Sequence, residues 1–448
     1  MKVNIYNIKN SGKRKYAHFD KRLGLKEVYK YISNPENIDK HNFYPFIYYE
    51  KKMYKFNKEK GKYDKKRPIC YASHIDRCIY QYYAHILNHM YNENVCELNI
   101  DDCSIAYRDN KRKSNIHFAK EVFDFIRQTQ NAYIIVGDFK GFFDNLDHNY
   151  LKEQLCKLMN VDKLSDDIYA VFKSMTKFSK CRLEDILTLN GLSDTYKGIR
   201  ELNSHETVMD VETFKRFKKE NLIKNQNKFG IPQGSSLSGI FSNIYMMDFD
   251  YKMKELVSSN NGLYRRYSDD FILVLPCGDI EFCKKFYDEA ISIIDDTTGV
   301  YIEKDKTKAY LYSSDNVENI TNYVIPEIKD EKNIIDYLGF SFDGKSISIR
   351  QKTYGKYIYR MRRKIDGIER CNGITYKGNR INYDKVYEKY SKKGLMRGQK
   401  TSNFISYVRL SNKVFKDEKN ISNIEKNHMR KIAKVIKEKR IKYSTNKI

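Results

Sequence analysis

The stretch Tyr133-Ile-Ile-Val-Gly-Asp138-Phe-Lys-Gly-Phe-Phe-Asp144 is an apolar, β-prone run that ends in an acid. A second run, Tyr264-Arg-Arg-Tyr-Ser-Asp-Asp-Phe-Ile-Leu-Val-Leu275, carries two adjacent acids at a turn. Neighbouring carboxylates repel one another, and apolar strands rarely carry them without compensation. A divalent cation is the usual compensation, and two Mg²⁺ ions about 4 Å apart suit phosphoryl transfer. We therefore predict that Asp138, Asp269 and Asp270 converge on a site for two Mg²⁺ ions, which Mn²⁺ could replace.

Further short words follow in a fixed order. They are Gly230-Ile-Pro-Gln-Gly-Ser-Ser-Leu-Ser238, Lys304-Asp-Lys-Thr307 and Tyr337-Leu-Gly-Phe340, with Arg67-Pro-Ile69 and Ala106-Tyr-Arg108 upstream. Tyr267-Ser-Asp-Asp270 alone would be weak evidence for a family, because such a short motif occurs by chance in many chains. The five ordered words together resemble the catalytic motifs of the reverse transcriptases, and the two upstream words resemble fingers motifs of the bacterial members.

The resemblance implies an α+β fold, the right-hand polymerase fold with fingers, an antiparallel-sheet palm and a helical, basic thumb. Hydrophobic patterning agrees, since it predicts strands at 264–275, 300–312 and 336–349, with helices near 238–257 and 279–295 on one face. In chain order we expect an N-terminal extension packing on the fingers (1–64), fingers (65–127), palm with the first motif (128–150), an insertion of undisclosed role (151–227), the remaining palm (228–345) and the thumb or C-terminal region (346–448).

The resemblance also implies the activity of an RNA-directed DNA polymerase, which adds deoxynucleotides with loss of pyrophosphate. Asp138 and Asp269 are expected to bridge both metal ions, with the carbonyl of Phe139 as a further ligand. Asp270 is expected to be a supporting carboxylate. Lys306 matches the lysine of the fourth motif, which can protonate the departing pyrophosphate.

Residues around the nucleotide follow from the same resemblance. Phe143 occupies the steric-gate position, where an aromatic ring leaves no space for a 2′-hydroxyl. Gln233 is expected to meet the incoming nucleotide or the template base, and Gly234 to permit close backbone approach. The other expected contacts are Arg108 with Lys111 or Arg112 on the triphosphate, and Tyr267 and Ser268 beside the primer end.

The composition agrees with a polyanionic partner without deciding for one. Lys and Arg total 83 against 58 Asp and Glu, a net charge of +25, although a Lys-rich protein of an AT-rich genome would show the same excess. The nine cysteines form no Cys-x-x-Cys pair and no apolar run is of membrane-spanning length, which fits a cytoplasmic protein. His85 and His89 lie four apart, but Ile86 stands where a zinc protease needs Glu, so helix packing or RNA contact is favoured.

The end of the chain predicts a basic amphipathic helix at roughly Ile421–Ile441. Such a helix could lie on a membrane. Next to a polymerase core we favour an apolar stripe that packs inward and a basic face that meets nucleic acid. The residues expected on that face include Lys426, Arg430, Lys434 and Lys437.

The words at 371–381 and 403–408 are similar to the helical tails of stand-alone bacterial enzymes of the abortive-infection and defence-associated groups. Such enzymes guard cells against phage, often with a partner noncoding RNA. The expected partners are therefore an RNA template, such as a dedicated noncoding RNA, a cDNA product and deoxynucleoside triphosphates, without a membrane.

Two other classes stay open. One is a template-independent DNA polymerase or terminal transferase of the same fold. The other is a nonenzymatic RNA-binding scaffold with a relic palm, which the presence of all three acids disfavours. The sequence leaves open the template, the priming mode (an RNA end or a protein hydroxyl), the product, the trigger and the oligomeric state, including a homo-oligomer.

Overall fold

Helices and strands alternate along the chain in a computed structural model that describes residues 8, 11–57, 61–108, 110–328, 331–374, 378–396 and 403–445. The strands are β1 (Phe46–Asn57), β2 (Gly61–Tyr71), β3 (Asn131–Asp138), β4 (Ser179–Arg182), β5 (Ile223–Lys224), β6 (Leu263–Tyr267), β7 (Asp270–Leu275), β8 (Lys308–Ser313), β9 (Asn316–Asn319), β10 (Ile335–Tyr337), β11 (Phe340–Phe342) and β12 (Ile347–Ile349). The helices are α1 (Leu25–Ile32), α2 (Pro35–Asp39), α3 (His74–Glu97), α4 (Asn115–Gln128), α5 (Phe142–Asn145), α6 (His148–Met159), α7 (Asp166–Thr176), α8 (Leu183–Leu189), α9 (Tyr196–Leu202), α10 (Val211–Asn221), α11 (Ser236–Tyr245), α12 (Met247–Ser258), α13 (Ile280–Asp295), α14 (Thr321–Val324), α15 (Gln351–Arg370), α16 (Asp384–Tyr390), α17 (Lys393–Met396), α18 (Phe404–Val414) and α19 (Lys419–Thr445), with a short 3-10 helix at Lys304–Lys306.

A five-stranded antiparallel sheet in the order β6-β7-β3-β8-β9 forms the centre of the fold. The first strand of the sheet along the chain, β3, is its middle strand, because β7 and β8 return to either side of it. The antiparallel palm sheet expected from the sequence is therefore present.

Both faces of β3 are buried, as its continuous apolar run requires. Tyr133 and Ile135 point into a large core shared with α11, α12 and α13. Ala132 and Ile134 point into a second core shared with α4, β10–β12 and the start of α19. The expectation of helices on one face was therefore incomplete, because the second face is also covered.

Several predicted elements divide differently in the structure. The expected strand at 264–275 is the hairpin β6–β7, and the expected helix at 238–257 is the pair α11 and α12. Within 300–312 only β8 is a strand, because the chain first makes the 3-10 helix. The segment at 336–349 forms a separate three-stranded sheet, β10-β11-β12, instead of extending the palm sheet.

The β1–β2 hairpin, which the patterning did not predict, leads a second sheet in the order β2-β1-β4-β5. The expected boundary between residues 64 and 65 falls inside β2, and the domain bounds stay predictions. Strands β4 and β5 come from the 151–227 insertion, and β4 pairs in parallel with β1. Ala17, Phe19 and Ile47 share a core with insertion residues of α8–α10, so the insertion and the N-terminal segment build one unit.

Helices α15–α19 follow β12 and form the basic C-terminal region. Helix α19 is longer than expected, and it buries Ile421, Ile432, Val435 and Ile436. Lys439 and Arg440 form ion pairs with Asp366 and Glu369 of α15. The apolar stripe therefore packs inward, as favoured from the sequence. Of the word at 371–381, residues 375–377 lie outside the described part of the chain.

Among the described residues, no helix combines the length and the apolar character that crossing a membrane requires.

Gly137 of β3 has no room for a side chain, since an added Cβ would lie 2.2 Å from the Phe271 ring. We expect Gly137→Ala to lower the free energy of unfolding by about 1–3 kcal/mol through overpacking. Gly355→Ala on α15 is the matched control, because its Cβ would meet nothing within 4 Å and helix propensity favours Ala by up to about 1 kcal/mol. Urea unfolding measures the stability of both variants, and equal unfolding midpoints would contradict the expectation.

Candidate active site

The three predicted acids meet at the ends of the two central strands. Asp138 of β3 pairs with Asp270 of β7 in the antiparallel register. Asp270 also pairs with Tyr267 of β6, so Ser268-Asp269 is the two-residue turn of that hairpin. The backbone N–H of Phe139 donates to the Asp269 carbonyl at 2.9 Å, which joins the turn to β3.

The acids perturb one another. Burial raises the pKa of Asp270 to about 7, and the charges of Asp269 and Asp138 add to the rise. Burial and then the charge of Asp138 raise the pKa of Asp269, against the opposing charges of Arg67 and Lys306. Asp270 as a whole residue is nevertheless exposed to solvent. This strand end therefore concentrates negative charge that a cation would relieve.

Lys306 supplies part of that relief. The Glu303 N–H donates to the Asp138 carbonyl at 2.8 Å and thereby anchors the 3-10 helix beside β3. From this helix the Lys306 ammonium forms an ion pair with the Asp138 carboxylate. The structure thus brings Lys306 to the acids, as expected, while its proton-donor role stays a prediction.

The donor chemistry fits Mg²⁺, which prefers carboxylate and carbonyl oxygens. In the part of the chain that the structure describes, however, no three His, Cys, Asp or Glu side chains are arranged to hold a metal ion as they stand. The assignment of Asp138, Asp269, Asp270 and the Phe139 carbonyl as metal ligands therefore stays a prediction.

A buried ion pair supports the Ser268-Asp269 turn from beneath. The Arg266 guanidinium donates to both carboxylate oxygens of Asp250 at 2.8 and 2.6 Å and to the Ser268 carbonyl at 3.2 Å. The Tyr264 hydroxyl donates to Asp250 at 2.6 Å. Burial alone would lower the pKa of Arg266, but Asp250 holds it above the ordinary value. Sequence reasoning missed this pair, although the period-2 pattern of β6 places Arg266 on the buried side with Tyr264.

The phenylalanines after Asp138 differ in burial. The Phe139 ring is buried and stacks on Phe271 with centroids 5.1 Å apart. Phe143 is half-buried against Phe142, and its carbonyl accepts the Ile231 N–H at 2.9 Å. Phe143 therefore keeps an open edge beside the Gly230–Gly234 turn, which is compatible with the expected gate.

The β1–β2 hairpin positions Gln233 and Gly234. The Cys70 N–H donates to the Gln233 carbonyl at 2.8 Å, and the Gln233 amide donates to Asp144 at 3.4 Å. A Cβ on Gly234 would lie 2.2 Å from the Cys70 carbonyl oxygen, and its φ of +123° also favours glycine. The close backbone approach that requires glycine is thus to Cys70 of β2, and the expected nucleotide contact of Gly234 stays a prediction.

The expected triphosphate contacts of Arg108, Lys111 and Arg112 stay predictions, and two of these cations have a partner within the chain. Arg108 is buried, and its guanidinium donates to Asn92 at 2.8 Å and to the Asp101 carbonyl and carboxylate at 2.5 Å each. The Lys111 ammonium forms an ion pair with the same carboxylate. Both cations are therefore committed to Asp101, whereas Arg112 is exposed and its role stays a prediction. Arg67 of β2 is exposed, and its positive charge acts to lower the pKa of Asp269. The Arg67-Pro-Ile69 word was the sequence feature that could have indicated this residue.

The remaining predicted residues lie at the turn and on α19. Tyr267 is half-buried and Ser268 is buried with a φ of +62°. On α19, the residues with exposed side chains include Lys426, Arg430, Lys434 and Lys437. Their contacts with nucleic acid stay predictions.

Comparison with known proteins identifies one matching family. The model for "Reverse transcriptase (RNA-dependent DNA polymerase)" matches residues 56–342. A search of curated proteins finds no match.

The similar solved structures include two telomerases. The apo telomerase of Candida tropicalis, truncated from the C-terminal domain, is 15% identical with a TM-score of 0.43, and the alignment covers 73% of this chain and 61% of that chain. The telomerase of Candida albicans in complex with a TWJ fragment of telomeric RNA is 15% identical with a TM-score of 0.39, and the alignment covers 94% and 64%. This chain thus spans less than two thirds of the length of either telomerase.

Replacing Asp250 would leave the Arg266 charge buried and uncompensated. We expect Asp250→Ala to lower the free energy of unfolding by about 3–5 kcal/mol. Glu255→Ala on the same helix is the control, because this exposed carboxylate contacts the exposed Tyr251, and such surface changes cost under about 0.5 kcal/mol. Denaturant unfolding compares them, and similar losses would show that Arg266 does not depend on Asp250.

Proposed function

Because the chain belongs to the reverse transcriptase (RNA-dependent DNA polymerase) family, we propose that it copies RNA into DNA by adding deoxynucleotides to a strand end. The matched residues, 56–342, include all five catalytic words and the antiparallel palm sheet. The predicted α+β polymerase fold is therefore confirmed. The observation that carries the activity is the meeting of Asp138, Asp269 and Asp270 beside Lys306.

Asp138, Asp269 and the Phe139 carbonyl would hold two Mg²⁺ ions, with Asp270 in support. Bound there, the ions would stabilise the attacking and leaving oxygens of phosphoryl transfer. The protein's own part is to hold four oxygen-bearing groups at one strand end through the β3–β7 register. The shared negative charge of the three acids supports this assignment.

Two cations would act on the triphosphate. Lys306 would leave Asp138 and give a proton to the departing pyrophosphate, for which its place beside the acids is suitable. Arg67 replaces Arg108 in our proposal as the fingers cation on the triphosphate, because Arg108 is committed to Asp101. The exposed basic side chains of α19 would hold the nucleic acid backbone.

The biological setting that we propose is bacterial antiphage defence, with a partner noncoding RNA as the template. Its support is the similarity of the words at 371–381 and 403–408 to the tails of stand-alone abortive-infection and defence-associated enzymes. Sequencing the nucleic acid that copurifies with the protein, both as RNA and as cDNA, tests it. A cDNA complementary to one copurifying noncoding RNA is expected, whereas heterogeneous RNA without matching cDNA would contradict it.

The test of the activity itself is extension of a DNA primer on an RNA template with Mg²⁺ and deoxynucleotides, followed by sequencing of the product with and without the template. A complementary product that requires the template is expected. A product independent of the template would instead identify a terminal transferase of the same fold.

Asp269→Asn should abolish primer extension, because it removes a carboxylate expected to bridge both metal ions. The free energy of unfolding should stay within about 1 kcal/mol of the wild type or rise, since the change relieves repulsion with Asp138. Primer extension and urea unfolding measure the two effects. A variant that still extends primers would refute the metal assignment.

Phe143→Ala should admit ribonucleotides, because the open edge of this ring is expected to exclude the 2′-hydroxyl. Relative incorporation of ribo- and deoxynucleotides in single-nucleotide extension measures the change, which should reach at least about tenfold, the effect of about 1.4 kcal/mol in the transition state. Phe142→Leu, a change in the buried neighbouring ring, serves as the control. Unchanged sugar selectivity in the Phe143 variant would rule out the gate.

A further inference from the structure

Tyr107 adopts a backbone conformation that aromatic residues rarely take. Its φ is +59°, in the left-handed region that favours glycine, and 51% of its surface is exposed. Non-glycine residues in this region persist when the surrounding structure imposes them, and they concentrate at functional sites. A tyrosine that served packing alone would bury its ring in a relaxed conformation, so Tyr107 needs another explanation.

The chain on both sides of Tyr107 is fixed. Before it, the Ile105 N–H donates to the Arg266 carbonyl at 3.0 Å, and the buried Asn243 amide donates to the Ala106 carbonyl at 2.9 Å. After it, the Arg108 guanidinium is held by Asp101. These contacts leave little freedom to the residue between them, which explains how the strain is maintained.

The same contacts hold the ring against the catalytic turn. The ring lies directly on Gly239 of α11, where an added Cβ would be 2.7 Å from the Tyr107 Cγ atom. The Tyr107 hydroxyl is hydrogen-bonded to the Ser268 hydroxyl at 3.1 Å. Ser268 itself has a φ of +62° and directly precedes Asp269. Two strained residues are thus joined through their hydroxyls, one residue away from a catalytic acid.

A small cavity of about 270 Å³ lies beside this contact. Its lining includes Tyr107, Tyr267, Asn115 and Phe118. The Asn115 amide donates to the Leu338 carbonyl at 2.9 Å, which connects the cavity wall to the Tyr337–Phe340 turn. The cavity therefore lies close to both the catalytic turn and the fifth motif.

We infer that Tyr107 is a positioning residue for the last nucleotide of the growing strand. Its exposed ring provides an apolar wall for the sugar of that nucleotide, and its hydroxyl holds Ser268 so that the turn presents Asp269. This inference rests on the proposed function, because it presumes a strand end beside the acids. The inference also gives a role to the hydrogen bonds between Arg108 and Asp101, because they fix the backbone next to Tyr107.

A double-mutant cycle tests the hydroxyl contact. Tyr107→Phe and Ser268→Ala should each slow single-turnover extension by about 3- to 10-fold, the size of one lost hydrogen bond. The double variant should be within about twofold of the slower single variant, and the KM for the nucleotide should stay nearly constant. Tyr196→Phe, at a residue 84% exposed on α9, is the control and should match the wild type. Wild-type rates for both single variants, or fully multiplicative losses, would overturn the inference.

Tyr107→Leu tests the ring with a readout independent of catalysis. In complexes with a primer–template whose primer ends in 2-aminopurine, this variant should show a fluorescence change of about twofold or more relative to Tyr107→Phe, because the sugar of the terminal nucleotide loses its wall and the attached base is no longer held in one position. Circular dichroism and urea unfolding verify that the variant folds. Identical fluorescence in the two variants would overturn the inference, even if the wild type extends primers. A wild type that binds this primer–template but cannot extend it would overturn the proposed function alone.

Discussion

The rest of the site depends on the enforced proximity of three carboxylates at the end of one strand pair. The β3–β7 register makes Asp138 and Asp270 direct neighbours, and the two-residue turn adds Asp269. Burial and mutual repulsion disfavour ionisation of Asp270 and Asp269. Strands buried on both faces can tolerate that repulsion, because their register is fixed by two hydrophobic cores. The apolar runs that precede the acids therefore matter for chemistry as well as for folding.

Positive charge is distributed around these acids in layers. Lys306 contacts Asp138 directly, and the charge of Arg67 reaches Asp269 from the fingers. Arg266 lies under the turn and is neutralised by Asp250, so it supports the backbone without competing for the acids. Lys306 forms its ion pair on the exposed side of the site, whereas the Arg266–Asp250 pair is buried, where loss of one partner would leave an uncompensated charge.

The proposed catalytic residues could be predicted from the sequence, but their partners could not. Asp138, Asp269, Asp270 and Lys306 come together as expected, because each belongs to a short word with a characteristic order. Arg108 also belongs to such a word, yet its guanidinium pairs with Asp101. A short sequence motif does not specify whether a cationic side chain faces a ligand or a carboxylate of its own chain, because that depends on side-chain packing. The β1–β2 hairpin was missed for a related reason: its polar, lysine-rich strands lack apolar alternation, and they are held by pairing with each other and with β4.

The sequence by itself determined the family, the order of palm elements and the acids, because strand ends and turns are encoded by local runs of apolar, acidic and small residues. It also determined which face of α19 is apolar and packs inward, because that face follows from the helical period of the hydrophobic residues alone. Only the tertiary structure decided that the insertion shares a core with the N-terminal segment. The same holds for the Cys70 carbonyl, which leaves no room for a side chain at Gly234, and for the hydrogen bond between Tyr107 and Ser268. Those contacts join residues far apart along the chain, and they arise from how separate cores pack, which no local pattern specifies.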